Sequence, residues 1–70
     1  MQIIENSTVV GQSFGERNVV IVKCENTGKE LTLLNPEGVE IELGMEGKVI
    51  FEESVMHILS FEPVMEEELV

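Results

Sequence analysis

Seventy residues carry fourteen acids, all of them Glu, against four bases, Arg17, Lys23, Lys29 and Lys48, for a formal charge of -10. That length holds one domain and excludes a second core. Apolar residues at 43% exclude a chain too polar to fold, and no run approaches the roughly 20 apolar residues of a membrane helix.

The first apolar positions, Ile3, Ile4, Val9 and Val10, predict a first strand with an interruption near Asn6-Ser7. Gly11 to Asn18 carries two glycines and reads as a loop. Val19-Val20-Ile21-Val22-Lys23-Cys24 is β-branched and apolar on both faces at its start, which predicts a central strand. Asn26-Thr27-Gly28-Lys29 reads as a tight hairpin, with Gly28 supplying the positive φ, and Leu31 to Leu34 as the return strand. Asn35-Pro36-Glu37-Gly38 follows type I turn preferences.

Val39, Ile41 and Leu43 then alternate with Glu40 and Glu42, the cleanest period-two pattern in the chain. It predicts a strand with three apolar side chains inward and two carboxylates outward. Gly44-Met45-Glu46-Gly47 predicts a turn, and Lys48 to Phe51 another strand. Ser54 to Phe61 fits either a short capped helix or a last strand, and Pro63 ends either one. Residues 1–62 are read as the β domain and 63–70 as an acidic tail that frays or docks through Val64, Met65 and Leu69. The expected fold is mainly β: an antiparallel meander or barrel of five to six strands, SH3-like or OB-like, or a sheet completed across a dimer.

Chemistry is scarce. Cys24 sits in the most apolar run, where a cysteine is a core hydrophobe. The only histidine, His57, lies between Met56 and Ile58. Together they supply too few soft ligands for structural zinc, and no calcium loop is present, so no cofactor or metal is expected; Glu52-Glu53 offers at most a weak site of oxygen ligands. Gly11 to Gly15 does not satisfy a dinucleotide fingerprint, and Gly44 to Lys48 is too short for a P-loop. An enzyme is not expected. Direct nucleic-acid binding is not expected either, with four bases and no Trp or Tyr. A single cysteine excludes an internal disulfide and suits a reducing compartment, so a cytoplasmic protein is expected. The N-terminus lacks the basic flank of a signal peptide. A core this small favours a supplement, and homodimerisation is the expected one.

The glutamates carry the functional expectation. Period two forces Glu40 and Glu42 outward, Glu25 and Glu30 flank the hairpin, Glu37 sits in the next turn, and Glu52 and Glu53 end the following strand. Same-face residues on a strand lie about 6.6 to 6.8 Å apart, the scale of phosphates along DNA. These seven are the predicted partner-binding residues, and a basic DNA-binding protein is the predicted partner. In this Glu-rich composition the chain resembles the small acidic DNA-mimic proteins of bacteriophages. That resemblance implies occupancy of a DNA-binding surface, on HU-type nucleoid proteins, repair glycosylases or nucleases, with no catalytic residue carried over. The alternative is a small β adaptor or assembly subunit that uses an apolar patch around Phe51, Met56, Phe61 and Met65.

Overall fold

The computed structural model describes residues 1–64, and the following concerns those. Five strands form a closed barrel: β1 (Gln2–Phe14), β2 (Asn18–Cys24), β3 (Glu30–Leu34), β4 (Glu46–Glu52) and β5 (His57–Pro63). Their order around the barrel is β1-β2-β3-β5-β4, with β1 closing on β4. All pairings are antiparallel except a short parallel contact at Leu34 and His57 between β3 and β5. That order and the parallel closure fit the OB-like alternative, so the sheet is mixed rather than a pure meander. Among the described residues no helix is long and apolar enough to cross a membrane.

β1 is the organising strand, and its length corrects the expectation of a break and a loop. Its first half pairs with β4 and its second half with β2, so one strand serves two neighbours. Asn6-Ser7 does not interrupt it. Ser7 is fully buried opposite Cys24, and its hydroxyl has no hydrogen-bond partner. The register shifts between Val9 and Gly11, a bulge that turns the strand around the barrel. Gly11 belongs to this device: a Cβ there would meet the Ile21 Cδ1 at 3.2 Å.

The interior is built by alternation from every strand. Val9, Val20, Val22, Leu33, Val49, Phe51, Ile58 and Phe61 form one buried cluster, with Ile41 from the connection before β4. Each fully buried aliphatic side chain contributes about 1.5–3 kcal/mol. Phe51 and Phe61 are 4% and 9% exposed, so they are core residues and not the surface patch expected for an adaptor. Met56 is half-buried against the same cluster, and Met65 and Leu69 lie outside the described residues.

The turns follow their chemistry. Gly28 adopts φ +72° in the β2–β3 hairpin, where its amide donates to the Cys24 carbonyl. Between β4 and β5, residues 53–56 form a turn and not a helix, and β5 begins at His57. Met56 takes a left-handed φ of 53° there, and its carbonyl accepts from the Leu34 amide beside the parallel contact. At the far end of β5, Pro63 pairs with Gly47 and the Val64 amide donates to Glu46. The barrel therefore includes two residues assigned to the tail.

Candidate acidic interface

The largest departure from the sequence reading is at 35–45, and it matters for the acidic site. Residues 39–42 lie in no strand and Leu43 already belongs to a turn, so the alternating segment pairs with no neighbour. The segment instead connects β3 to β4 and plugs the barrel. Asn35 starts it: its buried side chain donates to the Val39 carbonyl (2.9 Å) and accepts from the Val39 amide (2.8 Å), closing a loop around Pro36-Glu37. Gly38, at φ +71°, completes that turn. Ile41 is then buried in the core, and its carbonyl accepts from the Gln12 side-chain amide on β1. A second turn follows, in which Gly44 at φ +89° donates its amide to the Val9 carbonyl. Leu43, expected inward, is turned out by this second turn and is 64% exposed. The backbone accounting explains the missing ladder: along 39–43 the segment meets its partners through side chains, and its only main-chain bonds to β1 come at Gly44 and Met45.

Period two nonetheless keeps its consequence for charge. Val39 and Ile41 point inward, while Glu37, Glu40 and Glu42 are exposed. Two residues apart in sequence, Glu40 and Glu42 have Cα atoms no more than about 7 Å from each other. No Lys or Arg occurs between Glu30 and Lys48, so the acidic surface of this connection has no base within it.

The other four predicted residues lie elsewhere, and the single strand face does not form. Glu25 and Glu30 are exposed at the β2–β3 hairpin, where Lys29 sits between them and Lys23 pairs across from Glu30. Glu46 and Glu62, which the sequence reading did not single out, join a mixed belt: Glu46, Thr8, Lys23 and Glu30 follow one another across β4, β1, β2 and β3. Lys48 pairs across from Glu62 next to it. Cross-strand register was needed to see this belt, since its members are far apart in sequence. Glu52 and Glu53 lie at the β4–β5 turn. Glu52 accepts from the N-terminal ammonium, the only ion pair among the described residues, and from the amide and hydroxyl of Ser54.

Those hydrogen bonds hold the Glu52 carboxyl below its usual range, the bond to the ammonium contributing most. A depressed folded-state pKa adds stability above the unfolded pKa, lost as pH falls through the folded one. Acidification from neutral pH through the ordinary carboxylate range should therefore weaken the wild type more than Glu52→Gln. Equal acid limbs in pH-graded melts would remove this role for Glu52.

The chemically versatile side chains are kept apart. His57 lies beside Leu34, which pairs with Val19 at the start of β2, whereas Cys24 is at its end, about 17 Å along the strand. Burial, with the Glu5 carboxylate adding to it, pushes the Cys24 thiol up, which keeps it protonated and inert. A cleft of about 600 Å³ is lined by Gly15 to Asn18, Leu34, Asn35, Pro36 and His57. It contains Arg17 and Glu16 but no nucleophile beside the imidazole. Among the described residues no three His, Cys or Glu side chains come together as metal ligands.

Fold and site together define a small, closed OB-like barrel with an acidic connection strapped to it. No family model matches the chain, and no match was found among curated proteins or solved structures.

Proposed function

We propose that the chain is an acidic binding protein that occupies the basic surface of a partner, with Glu37, Glu40 and Glu42 as the contact residues. The observation that carries this reading is the uncompensated charge: eleven glutamates lie among the described residues, and only Glu52 is ion-paired. Charge left unpaired on a rigid surface acts outward, over about 8 Å at physiological salt. A net charge of about 2 to 8 in magnitude would suffice for solubility. In its narrower form the partner is a DNA-binding protein of the HU type, and the protein acts by displacing DNA. Support for that form is the charge alone, since the carboxylates of the connection are not a strand-face row with phosphate spacing. The adaptor reading is less favoured because its expected anchors, Phe51 and Phe61, are core residues.

Capture on the immobilised protein from bacterial lysate, eluted by a salt gradient, tests this. Basic DNA-binding proteins should elute at moderate salt, because an exposed electrostatic complex is screened. Recovery of neutral proteins that resist salt would overturn the reading in favour of an apolar interface.

A further inference from the structure

The outer face of β1, β4 and β5 carries a pattern that the acidic connection does not use. Cross-strand register arranges it in three rows. Gln2, Glu52 and His57 form the first; Ile4, Ile50 and Ser60 the second; Asn6, Lys48 and Glu62 the third. The register shift opposite Ile50/Phe51 adds Leu59 to the middle row. Ile4 and Leu59 are 62% and 41% exposed, so an apolar line crosses three strands between two polar ones.

The outer rows are complementary to each other. A two-fold axis lying in the plane of the face along the middle row keeps each strand over itself and exchanges the first row with the third. Glu52 of one copy then faces Lys48 of the other, His57 faces Glu62, and Gln2 faces Asn6. Every contact occurs twice, as an isologous interface requires. On β4 the opposite charges of Lys48 and Glu52 stand two residues to either side of the apolar row, Glu52 also accepting from its own N-terminal ammonium. We propose that this face pairs with the same face of a second copy, with Ile4, Ile50 and Leu59 at the centre and Lys48–Glu52 pairs on the rim.

The apolar centre is small, so the association is weak, in the micromolar range or above. Repulsion between two acidic chains acts against it and is screened by salt beyond about 8 Å. The proposed contact uses none of residues 35–45, so it is argued independently of the function proposed above.

Sedimentation equilibrium of the full chain from about 10 µM to 1 mM, spanning that affinity range, provides the test. The wild type should show reversible dimerisation. Lys48→Glu and Glu52→Lys should each weaken it by roughly tenfold or more, because each sets like charges face to face. The double variant, with both charges exchanged, should recover to within about threefold of wild type. Ile4→Glu should leave a monomer, with circular dichroism reporting the fold of each variant. A wild type monomeric throughout, or folded single variants whose combination fails to recover, would overturn the proposal.

Discussion

Replacing Gly47 with alanine should remove more than half of the barrel's stability. Gly47 is buried on β4 where β5 crosses it, paired with Pro63. A Cβ at this position would overlap the Glu62 carbonyl oxygen and lie 2.7 Å from the Pro63 Cα. Both obstacles are backbone, so no rotamer change relieves them, and the β4–β5 pairing must open. Overpacking of this kind costs about 3 kcal/mol. A domain of this length has little more than the low end of the usual 5–15 kcal/mol. Gly11→Ala provides the contrast, because its neighbour is the end of the Ile21 side chain, which can turn aside; its cost should stay near 1 kcal/mol. Thermal melts by circular dichroism would check both. A Gly47→Ala protein melting within a few degrees of wild type would mean that the end of β5 is not held against β4 as described.

The second large effect concerns binding. Reversing Glu37, Glu40 and Glu42 to Lys should weaken capture of a basic partner by roughly 100-fold or more, since apposed like charges cost several kcal/mol. The fold should survive, because all three side chains are exposed and Asn35, Ile41 and Gln12 anchor the connection. Reversing Glu25 and Glu30 should cost less than about fivefold, since Lys23 and Lys29 already dilute the charge there. Equal losses from both sets would place the interaction in the overall field rather than on the connection.

Local chemistry explains which parts of this were legible in the sequence. The β2–β3 hairpin, the Asn35–Gly38 turn and the buried run Val20, Val22, Cys24 follow from turn residues and β-branched patterning over a few positions. Barrel closure does not, because it depends on β1 pairing with two neighbours and on the Leu34–His57 contact, both set by long-range register. Gly11 hid the second half of β1: it read as a loop residue, whereas an isolated glycine in an otherwise strand-like pattern also marks a bulge or close approach.

Alternation at 39–43 was legible as inward and outward faces for Val39, Glu40, Ile41 and Glu42, but not as strand or connection. Period two reports extended chain over a buried surface, whether or not a neighbouring backbone completes the ladder. For the same reason the outward direction of the carboxylates was readable, and their division among the connection, the hairpin and the β4–β5 turn was not. The belt through Glu46 and Glu62, and the three rows around Ile50, exist only once register is known.

Backbone amide shift mapping tests most directly whether the connection is the contact surface. Isotope-labelled protein would be titrated with a basic DNA-binding partner at low salt. The largest perturbations should fall at Glu37, Gly38, Glu40 and Glu42, and added salt should reverse them. Perturbations confined to the β2–β3 hairpin or to the Ile4–Ile50–Leu59 row, or unchanged by salt, would contradict it.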